Sequence, residues 1–161
     1  MPPSTRRTAG TRPPWLAEHG VDLARVPIDS VLRQALSADA EQFRSGCSLL
    51  AAMSHAGRVE AGVFLLGLLR HYPDDYPRLK MIAEALASFP TAATVAALAA
   101  ELRRVQGSSA TRAYLRRIIT TFERFPAAIV AAPIQELASD PQVGTRFRQH
   151  LRALISPGPY D

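Results

Sequence analysis

Nine arginines fall within residues 101–161, against five acidic residues. Arg112 and Arg116 stand one helical turn apart, as do Arg148 and Arg152; Arg103, Arg104, Arg117, Arg124 and Arg146 share the same stretch. A guanidinium presents a planar fork of donors that suits carboxylate and phosphate groups. Arginines aligned across neighbouring helices would form a ridge able to hold such anions, with binding that weakens steeply as salt rises. Rings that could stack on bases are sparse beside them. Tyr114, Phe125 and Phe147 are the candidates, and the last two fit buried positions. A protein partner is therefore the first expectation and a nucleic acid the alternative. The net charge of +5 is uneven, at +2 over residues 1–36, −1 over 37–100 and +4 over 101–161, so the last third is where an anionic partner is expected.

Other side chains with chemical potential read more simply as structure. His71, Asp74 and Asp75 lie close together, but without a ligand spacing such as H-x-x-x-H. Asp75 suits a helix N-cap, and His71 suits a helix C-terminus, where positive charge is favoured. His19, His55 and His150 stand singly. The one cysteine, Cys47, sits 36 residues before Ala83 and 72 before Ile119, in a packing position for a small apolar group. A single cysteine also excludes an internal disulfide framework. No phosphate-binding loop, dinucleotide fingerprint or serine–histidine–aspartate order is present. The expected function is non-catalytic, with no cofactor and no metal.

The elements that must position the arginines repeat. Phe43, Leu79, Leu115 and Leu151 follow one another at steps of 36 residues, as do Gly46, Ile82, Ile118 and Leu154, and Cys47, Ala83, Ile119 and Ile155. Leu50, Leu86 and Phe122 follow the same step, then Met53, Phe89 and Phe125. Within each copy the spacing is i, i+3, i+4, i+7, one face of a helix. A period of this length built on helical spacing marks an α-solenoid. The predicted class is all-α, with essentially no sheet.

Three helix pairs are predicted, at 39–55 with 58–71, 76–89 with 91–106, and 110–125 with 127–139, then an unpaired terminal helix at 142–155. Residues 1–14 are a disordered basic tail. A cap over 15–38 opens a single domain of residues 15–156; it begins with one helical turn ended by Gly20 and continues in a helix over 28–36. Residues 157–161 form a C-terminal tail. The helix at 58–71 is apolar on most sides and predicted to be buried; Gly62 and Gly67 within it suit tight packing. Pro133 is predicted to kink its helix. The unpaired last helix is expected to leave Phe147 or Leu151 open to a partner or a second copy, giving a homodimer. No apolar run approaches the roughly 18 residues that a membrane span needs, and no apolar secretory stretch opens the chain, so the expected address is the cytoplasm.

The stripes Phe43/Leu79/Leu115 and Leu50/Leu86/Phe122, with the Phe-Pro junctions at 89–90 and 125–126, resemble the HEAT-repeat family across residues 39–155. That resemblance implies a right-handed α-α superhelix and a scaffold or adaptor role. Some members of this kind hold damaged DNA through tryptophans in their groove; here the single tryptophan, Trp15, precedes the repeats.

Overall fold

The computed structural model of the chain describes residues 16–17 and 20–155. The two tails, Trp15 and His19 lie outside the described residues. Eight helices follow in order: α1 (Ile28–Ala35), α2 (Ala40–His55), α3 (Val59–His71), α4 (Tyr76–Ala85), α5 (Ala92–Arg104), α6 (Arg112–Glu123), α7 (Ala127–Ser139) and α8 (Thr145–Ile155). A 3-10 turn, Leu86–Ser88, extends α4. The expectation of an all-helical chain holds, with one exception at the start. Where a helical turn was expected, β1 (Leu16–Ala17) pairs antiparallel with β2 (Gly20–Val21), Leu16 opposite Val21. Gly20, at φ +148°, permits the tight reversal.

Local signals set several helix ends. The Asp39 carboxylate accepts from the backbone N–H groups of Glu41 (3.0 Å) and Gln42 (2.8 Å) and caps α2. Asp75 does the same for α4 through Arg78 N–H at 3.1 Å. Gly57, at φ +93°, closes α2 with Arg58 N–H donating to Met53 O and Gly57 N–H to Ser54 O, the paired bonds of a glycine C-cap. Prolines shorten two predicted helices. α4 stops before Phe89-Pro90 and α6 before Phe125-Pro126, because the residue ahead of proline is pushed out of helical geometry. α8 begins three residues later than predicted. Asp140 accepts from Gln142 N–H, and its carbonyl accepts from Val143 N–H, so residues 140–143 form a turn instead. α7 runs through Pro133 without interruption.

The 36-residue stripe is the core. Phe43, Leu79, Leu115 and Leu151 are all buried, as are Cys47, Ala83 and Ile119, and Leu50, Leu86 and Phe122. α2, α4, α6 and α8 pack successively against one another; α5 packs on α7, and α1 on α2. Gly46 makes the last contact possible, since a Cβ there would lie 2.8 Å from Ala35 Cα. Gly62 likewise admits the Phe89 ring, whereas Gly67 has nothing within 4 Å of where its Cβ would be, so only the first of the two α3 glycines serves packing. The prediction that α3 is buried on most sides fails at Val59 and Val63, which are 62% and 54% exposed. Helix α3 packs on α2 and α4 and leaves that flank uncovered.

Polar bonds between one repeat and the next reach a narrow range of distances along the chain. Arg104 donates to Pro73 O, 31 residues away, Ser54 to Ser88 O at 34, Thr121 to Ala83 O at 38 and Arg78 to Ala38 O at 40. Arg78 also lies 4.8 Å from the centroids of both the Phe43 and Tyr72 rings. Arg58 donates to the carbonyls of Leu23 (3.1 Å) and Val26 (2.7 Å), fastening the segment ahead of α1 to the α2–α3 turn.

Candidate functional site

The nine candidate arginines differ in what surrounds them. Arg103 is drawn into structure: its Nε donates to Asp140 at 2.7 Å and its NH2 to Glu136 at 2.6 Å. Hydrogen bonding to Arg103, then to Gln142 N–H, holds the Asp140 carboxyl below its ordinary pKa. Arg104 grips both carboxylate oxygens of Glu101, at 2.9 and 2.7 Å, and lies 3.6 Å from Asp74. Glu101 also accepts from the Tyr114 hydroxyl at 2.8 Å; burial first, then that bond, raises the Tyr114 pKa. Arg117 pairs with Glu84 of α4 at 3.7 Å. Arg148 donates to Thr145 Oγ1 at 3.1 Å, while its Nε is buried without a partner. Arg124 and Arg152 are exposed.

Three arginines converge instead. Arg112 and Arg116 from α6 and Arg146 from α8 line a cavity of about 230 Å³ with Ser108, Thr145, Phe147 and His150. All three are exposed, and among the described residues none of their guanidiniums has an ion pair or hydrogen bond. Two built turns hold the walls. On one side Ser108 and Thr111 bond reciprocally: Ser108 N–H donates to Thr111 Oγ1 (2.9 Å), Thr111 N–H to Ser108 Oγ (3.2 Å), and the Thr111 hydroxyl to Gln106 O (2.6 Å). This fixes where α6 starts, and so where Arg112 and Arg116 project. On the other, the Arg103–Asp140 pair anchors the turn that launches α8, placing Gly144 and Thr145 at the cavity edge. The positive end of the α8 dipole therefore faces the same space as the three guanidiniums. A second groove continues from it along α6 and α8, lined by Arg116, Ile119, Thr120, Glu123 and His150. The cleft can hold carboxylate, phosphate or sulfate groups. Convergent cations without counter-charge create a local potential that attracts anions and steers their approach.

Proton-transfer and nucleophilic chemistry find little here. Cys47 is 3% exposed, and desolvation pushes its thiol up to about 12, opposed in part by Arg78; it is a packing group. Asp75 is spent as the α4 cap. No group of three or more His, Cys, Asp or Glu side chains arranged to hold a metal occurs among the described residues. The expected exposure of Phe147 and Leu151 is corrected. Phe147 is 8% and Leu151 0% exposed, because α8 packs against both α6 and α7; Ile155 is the exposed apolar residue at its end. Tyr114, beside the arginines in sequence, is 1% exposed and unavailable for stacking.

No protein-family model, curated protein or solved structure matches this chain. No described helix is long and apolar enough to cross a membrane.

Proposed function

We propose that the chain is a non-catalytic binding module, a HEAT-like right-handed superhelix that engages acidic groups of a protein partner in the α6–α8 cleft. The observation that carries this reading is the convergence on one cavity of Arg112, Arg116 and Arg146, whose guanidiniums have no partner among the described residues. The 36-residue step of buried residues and the successive packing of α2, α4, α6 and α8 support the repeat reading. Burial of Tyr114, Phe125 and Phe147 supports a protein over a nucleic acid, since sequence-tolerant binding of single strands relies on exposed rings. Fluorescence anisotropy with a labelled oligoglutamate, at about 50 and about 200 mM salt, tests the reading. The expected result is salt-sensitive binding, weakened about tenfold by the triple variant Arg112→Ala/Arg116→Ala/Arg146→Ala, at about half a log unit or less per exposed pair. An affinity unchanged in that variant refutes the cleft.

A further inference from the structure

One position beyond the buried stripe, the 36-residue step carries a second series. Arg44, Lys80, Arg116 and Arg152 follow Phe43, Leu79, Leu115 and Leu151 directly. The four preceding residues are buried, so the cations share one helical phase on α2, α4, α6 and α8, helices that pack in that order. Arg44, Arg116 and Arg152 are exposed and Lys80 is half-buried. Among the described residues, the side chains of Arg44, Lys80 and Arg116 have no ion pair or hydrogen bond. Arg44 and Lys80 border one groove, between α2 and α4, and Arg116 borders the next, between α6 and α8. Two carboxylates lie along these grooves. Glu84 is already paired with Arg117, and Glu123 stands at the far end of the α6–α8 groove.

We propose that this row is a track for an extended acidic polypeptide segment that crosses α2, α4 and α6 and offers a carboxylate to each of Arg44, Lys80 and Arg116. The inference rests on the reading of the α6–α8 cleft as a site for a protein's acidic groups, and it adds a direction and a register. Packed helices lie about 8–10 Å apart. Three residues of chain in the polyproline II conformation advance about 9 Å and return the side chain to the same face. An acid at every third residue therefore meets one cation on each of α2, α4 and α6, and a segment of about seven residues spans Arg44 to Arg116. Between the cations, Ala51, Met81 and Ala85 give the α2–α4 groove an apolar floor suited to small apolar side chains between the acids. A single-stranded nucleic acid fits less well, because of the rings lining these cavities Phe147 is buried and only the small His150 imidazole is exposed, so bases would find few stacking platforms.

The test titrates the full chain with three labelled probes: a peptide of about twelve residues with Glu at every third position, a peptide of the same composition with its Glu residues clustered at one end, and an oligouridylate of equal charge. The spaced peptide is expected to bind tightest. Arg44→Ala/Lys80→Ala removes two cations outside the α6–α8 cleft, and is expected to weaken the spaced peptide about fivefold while leaving the clustered peptide and the melting temperature unchanged. Wild-type affinity of the double variant for the spaced peptide overturns the track but not the cleft, provided the cleft variant still weakens both peptides. Equal binding of the two peptides overturns the register, and tighter binding of the oligouridylate overturns the choice of partner. No peptide binding at low salt overturns both the track and the cleft.

Discussion

Two alanines placed at glycines of neighbouring helices are expected to act in opposite directions. Gly46 lies inside α2 and Gly67 inside α3. In a helix interior, Gly→Ala contributes about 1 kcal/mol from propensity alone. At Gly67 nothing lies within 4 Å of the added Cβ, so Gly67→Ala keeps the full gain. At Gly46 the methyl would stand 2.8 Å from both Ala35 Cα and Gln34 C. Those are backbone atoms of α1, which cannot turn aside as a side chain can. Overpacking of this kind costs about 1–3 kcal/mol, and the rigid neighbour puts it near the upper end. The net effect of Gly46→Ala is a loss of about 1–2 kcal/mol, leaving a gap of about 2–3 kcal/mol between the variants. In a chain of this size each kcal/mol moves the melting temperature by about 2–4 °C. Thermal and urea melts followed by circular dichroism measure the gap, and hydrogen exchange over α1 locates it. A Gly46→Ala protein as stable as wild type would refute the close approach of α1 to α2.

Native Cys47 is expected to resist alkylation at pH 8 and to react at an ordinary rate once urea unfolds the chain. Its raised pKa also means that the unfolded chain releases the thiol proton from about pH 9.0 while the fold retains it to about 12. That contribution to stability is whole below pH 9.0 and is lost as pH rises, and Cys47→Ala should flatten this alkaline fall in the urea midpoint. Asp140 behaves oppositely. Its folded pKa lies below the ordinary 3.8, so its contribution is present above that pH and is lost as pH falls through the folded value. Asp140→Asn should lower the urea midpoint at pH 7 and converge with wild type in strong acid. Arg78→Ala loses the ring contacts to Phe43 and Tyr72 and the bond to Ala38 O, and should cost about 1–2 kcal/mol in a denaturant melt.

Asp39, Gly57 and Asp75 announce their roles because capping is chemistry between near neighbours. The stripe from Phe43 to Leu151 announces the core because burial repeats with the helices. The fate of the arginines does not announce itself. Arg103 is neutralised by Asp140, 37 residues on, and by Glu136, 33 on; only the fold brings them within reach. Arg112, Arg116 and Arg146 stay available for the same reason, since no acid among the described residues pairs with them. Val59 and Val63 are apolar enough for a core, yet α3 has no neighbour on that side. The row from Arg44 to Arg152 is written in the sequence at the same step as the core. Its meaning depends on knowing which face of α2, α4 and α6 stays open.

The polar bonds that join repeats, from Arg104–Pro73 to Arg78–Ala38, span 31 to 40 residues, about one period of the sequence. Each repeat is thus secured by its immediate neighbours. Such a chain can assemble by adding one neighbour at a time, without first closing a long loop, which favours quick folding. Local opening need not be uniform along such a chain, so unfolding followed at α1 and at α8 need not coincide. The same locality makes duplication of a 36-residue unit an inexpensive change, because a new copy would find its bonding partners already present in the old ones.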